Sequence, residues 1–387
     1  MGAVSEAIEA RSWTRRQVLT VLAGIPLLIV LPSGVLRAAR VRILGLRHWL
    51  DASDDKRLVF DLDGEARFTT RVLDDPPRVV VRIQGVALAS PLDESFTGDA
   101  LLRRLVARPT AEGVDIVVEL VRVAEASVFA QAPSGARGHR IVVDLSPRLT
   151  AAERAEREAR VRAVRDSGDR IIAIDPGHGG EDPGTVYGRL QEKHVTLAVG
   201  KMLREQLEKR RGLRAILTRN GDTFIPLHRR QEIARQYGAH LFVSLHVNSA
   251  PTQARGAEVF FLSIAGSVDK AAKELVDREN AADLVGGVAP DQVNAPLVDI
   301  LMDMTRNQTM KDSETLAAVL LEHLGRVENA AVRGVKQGPL AVLKSIDKPS
   351  VLVELGFITN REDRALLVKA QRLYASRLAD GIAAYLA

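Results

Sequence analysis

The feature that most constrains the fold is a change of hydrophobic period part-way along the chain. Between residues 41 and 145, apolar positions come in short alternating or β-branched runs, at 41–46, 58–62, 79–83, 114–123 and 141–145, each bounded by Gly, Pro, Asp or Ser clusters. A period of two punctuated by turn formers specifies short half-buried strands, so this stretch is expected to be a small all-β sandwich. Beyond Arg170 the pattern becomes apolar strands alternating with long amphipathic helices, as at 171–174, 195–208, 215–218, 241–245 and 351–354. That alternation specifies an α/β domain whose central sheet, mainly parallel or mixed, is flanked by helices. Between the two lies TAAERAEREARVRAVR at 150–165, rich in Ala, Glu and Arg with opposite charges at helical spacing, which reads as a solvated helical connector. The expected division is a leader at 1–39, a β domain at 40–148, a linker at 149–169 and an α/β domain at 170–387.

Composition narrows the chemistry. With 387 residues, 46% hydrophobic and 27% charged, the chain has the make-up of a globular protein of two domains. It contains no cysteine, which removes disulfides, thiolate metal sites and cysteine nucleophiles together. Any metal must therefore rest on histidine and carboxylate. The formal charge is only +5, no Lys/Arg run of the phosphate-neutralising kind occurs, and aromatics are 4%, so nucleic acid is not an expected partner. Weak attraction to an anionic wall fits the excess equally well.

The N-terminus reads as an address. Thr14-Arg15-Arg16-Gln17-Val18-Leu19 leads into an apolar run at 18–31 of signal-peptide length, in the manner of a twin-arginine export signal. Cleavage is expected near Ala38-Ala39, and an uncleaved anchor is the alternative. Export of this kind predicts a periplasmic protein with no stable membrane insertion after processing.

Four segments carry chemistry. IIAIDPGHGGEDPG, at 171–184, is an apolar strand running into a glycine-rich turn that contains Asp175 and His178. The turn lets an imidazole project into a cleft, and its spacing fits neither of the common phosphate-binding loops. LFVSLHVNS, at 241–249, delivers His246 at the end of a second apolar strand. Two strands ending in histidine would supply the crevice above an α/β sheet. A catalytic zinc takes three protein ligands and keeps one position open, and Glu192, at the start of an amphipathic helix, is the candidate third ligand. Read alone, Glu192 is as readily an ordinary helix-start glutamate that complements the dipole. SVLVELGFITN, at 350–360, is fully apolar but for Glu354, and a carboxylate in such a run is costly unless paired or used, so Glu354 is the candidate general base. His194 lies two residues from Glu192 and so on another helix face, while His48 and His139 fall in no ligand-spaced cluster.

Together these segments resemble the zinc-dependent N-acetylmuramoyl-L-alanine amidases of the division-associated AmiA/AmiB/AmiC type, over Arg170 to the C-terminus and in the family's order. The resemblance implies one Zn2+ held by His178, Glu192 and His246, with Glu354 as catalytic glutamate. It implies hydrolysis of the amide between N-acetylmuramic acid and L-alanine in peptidoglycan, for wall remodelling and daughter-cell separation. Thr218, Arg219, Asp222, Leu227 and Arg230 also match, in structural roles. Asn248 departs from the HxD of some members, which removes the ground for a metal contact there. Residues 41–145 resemble the AMIN domain, which implies peptidoglycan binding. An insertion at about 263–312 holds Arg278-Glu279-Asn280, and the resemblance implies that Glu279 can reach the zinc and inhibit, with relief by a LytM-like activator at the division site; a solvated lid is the other reading. The alternatives for the whole chain are a non-catalytic peptidoglycan-binding scaffold and a zinc peptidase cutting within the stem peptide.

Overall fold

The computed structural model describes residues 41–387 except 51–55, 134–137, 252, 264–269, 287–302 and 345–346. The expected export signal lies outside the described residues, as do residues 264–269 and 287–302 of the expected insertion.

Ten strands build the N-terminal region: β1 (Val41–Leu50), β2 (Lys56–Leu62), β3 (Arg67–Asp74), β4 (Pro77–Gln84), β5 (Val86–Leu88), β6 (Asp93–Ser95), β7 (Leu102–Pro109), β8 (Gly113–Leu120), β9 (Ala124–Gln131) and β10 (His139–Pro147). They form two five-stranded sheets, ordered β5-β1-β2-β10-β9 and β3-β4-β8-β7-β6. Alternate residues point inward, as Val114, Ile116, Val118 and Leu120 do on β8, and they meet Leu58, Phe60, Ile141 and Val143 of the other sheet in one apolar core. This is the sandwich that period-two patterning demands.

The connector is helix α1 (Ala151–Arg165), opened by a capping box in which Thr150 and Glu153 satisfy each other's backbone N–H groups. No residue of α1 is buried, so its helicity rests on its cap and charge pattern more than on packing.

The C-terminal region continues with β11 (Arg170–Pro176), a hairpin of β12 (Val186–Tyr187) and β13 (Leu190–Gln191), α2 (Glu192–Glu208), β14 (Leu213–Leu217), α3 (Leu227–Gln236), β15 (Leu241–Asn248) and β16 (Ala257–Leu262). Then follow α4 (Lys270–Asn280), α5 (Ala282–Gly286), α6 (Asp303–Leu324), β17 (Val332–Gly338), β18 (Ser350–Phe357), α7 (Arg361–Lys369) and α8 (Gln371–Leu386). The main sheet is ordered β14-β11-β15-β18-β16-β17, and it is mixed because β16 runs antiparallel to β18 while the other neighbours are parallel. Both faces are covered. Ile172 and Ile174 of β11 pack with α2, α6 and α8, whereas Ile171 and Ala173 pack with α3 and α4. Every residue of β15, β16 and β18 is buried, the signature of strands sandwiched between helices.

Candidate metal centre and active site

The site forms at the C-terminal ends of β11, β15 and β18. After β11 the chain turns sharply, with His178 in the left-handed region at φ 59°. A non-glycine residue there costs energy, and the turn is held by two buried arginines. Arg230 donates to the carbonyls of Ile225, Pro176 and His178, and Arg219 to those of Pro176, Gly177, Lys193 and Gly221. Asp175, fully buried, answers this charge: it accepts from Arg230 at 2.9 Å, Thr218 at 2.6 Å and Ser244 at 2.7 Å. Gly177 and Gly184 are required by proximity. A methyl on Gly177 would lie 2.4 Å from His246 Nε2, and one on Gly184 2.6 Å from a Glu192 oxygen.

Four side chains converge on one point. His178, Glu192, His246 and Glu279 are all buried, and each offers a ligand atom within 4.8 Å of the others. Glu192 Oε1 stands 3.0 Å from His178 Nε2 and 3.1 Å from His246 Nδ1. Glu279 Oε2 stands 3.3 Å and 3.0 Å from the same two nitrogens. His178 Nε2 and Glu279 Oε2 nevertheless have no hydrogen-bond partner, so their lone pairs are aimed at a shared centre and not at each other. That arrangement fits a divalent cation. Charge agrees with it: burial alone would push both imidazoles down, yet Glu192, Asp182 and Glu279 hold His178 well above its ordinary value, and Glu279 and Glu192 hold His246 at about 9. Burial alone would push the carboxyls up, yet the imidazoles hold Glu192 and Glu279 below the usual range. Such a cluster seeks positive charge. Two nitrogens and carboxylate oxygens are also the donor set zinc accepts.

The remaining Glu192 oxygen accepts from the backbone and hydroxyl of Thr185, both below 3 Å, so this carboxylate is fixed from behind. His178 is fixed likewise, its Nδ1 lying 2.6 Å from Asp182 Oδ2. A carboxylate on the far nitrogen sets the tautomer and leaves Nε2 free to ligate. Sequence reading missed Asp182, although it sits inside the first motif four residues after His178; that spacing is the signal. Asp182→Asn is expected to weaken zinc binding about tenfold to a hundredfold, measurable by competition with a chromogenic chelator, since loss of such a partner typically costs that much. Affinity equal to the parent's would remove Asp182 from the site.

Glu354 lies beside His246 in the β15–β18 register, so the two side chains share a sheet face. It is fully buried and neither oxygen has a hydrogen-bond partner. Burial, with Glu279 and Glu192 nearby, pushes its carboxyl well above the usual range against the pull of His246 and Arg278.

The other histidines are elsewhere. His194 is exposed and faces Asp222 at 3.8 Å, His228 is exposed, and His240 accepts from the Ile171 backbone at the opposite end of β15. His48 is exposed on the sandwich and His139 half-buried there. Asn248 stands outside the cluster. It donates to Glu258 and accepts from Arg278.

A mixed sheet that gathers a buried His/Glu cluster beside an unpartnered glutamate defines a hydrolytic enzyme whose site is compatible with a divalent cation. Residues 172–384 match the family described as N-acetylmuramoyl-L-alanine amidase, and residues 45–147 match the AMIN domain. The N-acetylmuramoyl-L-alanine amidase AmiC of Neisseria meningitidis is 33% identical over 96% of this chain and 97% of its own length. The amidase AmiA of Escherichia coli is 42% identical over 58% of this chain and 78% of that protein. Among solved structures, amidase AmiC2 of Nostoc punctiforme is 30% identical over 56% of this chain and 96% of that one, with a TM-score of 0.42. The chain belongs to the N-acetylmuramoyl-L-alanine amidase family and carries an AMIN domain ahead of the catalytic one.

Proposed function

We propose that the chain hydrolyses the amide joining N-acetylmuramic acid to L-alanine in peptidoglycan with one zinc held by His178, Glu192 and His246. The observation that carries this is the convergence of those three side chains on one centre with Glu354, unpartnered, in the adjacent register. Zinc bound there supplies a Lewis acid that polarises the scissile carbonyl and makes water more acidic. Glu354 takes the proton from the attacking water and delivers it to the leaving amine; its burial among apolar β18 residues raises its basicity. Asp182 and Thr185 hold His178 and Glu192 so that the ligand set does not rearrange.

The structure described is read as an inhibited form. Glu279 stands 3.3 and 3.0 Å from the two imidazole nitrogens, where it would take the position that a catalytic zinc keeps open, and the cavity beneath it is only ≈ 10 Å³, about room for one water. Helix α4 is held by Arg278 on Asn248 and Ser249, by Asn280 on Pro339 and Ala341, and, through α5, by Asp283 accepting from the Leu227 N–H. Opening would fall to an activator, of LytM-like character, at the division site, with the enzyme exported to the periplasm by its twin-arginine signal and acting in daughter-cell separation. Among the described residues no helix is long and apolar enough to cross a membrane.

Digestion of purified peptidoglycan tests the activity. The expected products are peptides with free L-alanine N-termini and peptide-free glycan, abolished by chelation and restored by zinc. Shortened stems still attached to the glycan would replace this reading with the peptidase one.

A further inference from the structure

Helix α1 meets the α/β domain through its last turn, where Val164 packs on the core. A cavity of ≈ 840 Å³ separates it from α3, and five arginines face that space, Arg154, Arg157, Arg162 and Arg165 from α1 and Arg229 from α3, against only Glu158 and Asp166. Arg154 donates to the Leu149 carbonyl and Arg229 pairs with Glu232. Arg157, Arg162 and Arg165 are exposed and form no ion pair among the described residues. Five arginines against two acids leave the groove a net positive charge that a bound anion would neutralise. The helix is also held in place. Arg122 grips Glu153 with two bonds of 2.7 Å at its start, and its last turn packs Val164 onto the α/β core.

The groove and the small cavity at the metal centre are lined by neighbouring residues of α3. Arg229 lines the groove, whereas its neighbour Arg230, with Leu227, lines the small cavity under Glu279. A second cavity of ≈ 450 Å³ shares Leu149 and Arg157 with the first and reaches Leu101 and Arg122 of the β sandwich.

We infer that this arginine groove between α1 and α3 binds the free carboxylates of peptidoglycan stem peptides, making the connector a substrate-holding element between the two domains. Charge complementarity, and the fact that α3 lines both the groove and the cavity at the metal centre, favour this occupant over an acidic protein segment. The inference rests on peptidoglycan being the substrate; digestion products report on that reading, and binding reports on the groove.

The test is cosedimentation of the full zinc-loaded chain with purified sacculi, native or with their carboxyl groups amidated. Replacing Arg157, Arg162 and Arg165 together by Ala is expected to raise the half-saturating sacculus concentration about tenfold at low salt. The same three changed to Lys retain most of the binding. Amidation should weaken the parent about as much as the Ala substitutions do, and the triple Ala variant distinctly less, because the two changes remove one interaction. Zinc content and the thermal midpoint, compared with the parent's, report folding of these surface variants. Equal binding of parent and triple Ala variant to native sacculi overturns the proposal. So does an equal effect of amidation on both, or capture of soluble polyglutamate by the groove with sacculus binding untouched, the result expected of a site for an acidic protein.

Discussion

Glu354→Gln is expected to keep a full complement of zinc and to lose at least about a hundredfold in turnover, the usual scale for removing a general acid-base group. The substitution preserves shape. Glu354 is not among the four converging ligands, so an amide there leaves the metal's donors intact. Its two oxygens have no partner to lose, and the fully buried position should accept a neutral group without loss of stability. What disappears is the capacity to accept a proton from water and return it to the amine. Rates are best compared in a background with Glu279 replaced by Ala, so that an open centre is measured in both. Metal analysis with initial rates of peptidoglycan release decides: a zinc-loaded Gln variant as fast as its parent would remove Glu354 from the mechanism.

The parts of this centre legible in the sequence are those where a polar residue interrupts an otherwise apolar strand. Glu354 stands out because nothing else in SVLVELGF carries charge, and His246 ends LFVSLH in the same way. Burial of a strand on both faces forbids such residues unless they are used, so the interruption itself is the signal. Asp182 gave no comparable signal, because an aspartate amid glycines in a turn is ordinarily there to make the turn. Helix α4 was harder still. By its own pattern KAAKELVDREN reads as a mixed-charge solvated surface; the family resemblance alone singles out Glu279, which the fold shows 3% exposed while Lys273 and Asp277 pair in solvent. Which face of a short charged helix meets the protein is decided by its partners, and those lie far off in sequence.

The fold divides along the same line. Strands with a clean apolar face, such as β8 and β10, the fully buried β15 and β18, and β11, buried beyond Arg170, follow from local pattern. β3 and β7 do not: RFTTRVLD is largely exposed, and LRRLVARP carries a register shift between Leu102 and Arg104 that breaks its alternation. Edge strand β17, VRGVKQG, owes its place to pairing with β16, a long-range partner that no short window contains.

Glu279→Ala is expected to raise turnover on peptidoglycan about tenfold or more while modestly weakening zinc binding. In the form described, the carboxylate contacts both imidazoles and lies over the centre, so substrate and Glu279 compete for one position. The latch is polar and finite: Arg278, Asn280 and Asp283 make a handful of buried or part-buried hydrogen bonds, each worth about 1 kcal/mol net, and Glu279 would add its attraction to the metal. Removing that attraction shifts the balance toward the undocked helix, and each 1.4 kcal/mol removed multiplies the open population about tenfold until open molecules dominate. Excising residues 263–312 should reach the same ceiling, and an activator that draws α4 away should then accelerate the parent but neither altered form. A folded, zinc-loaded deletion variant no faster than the parent would show that α4 covers the centre without restraining it. Opposite movement of metal affinity and rate is the diagnostic, because a residue serving only as a structural ligand would lower both together.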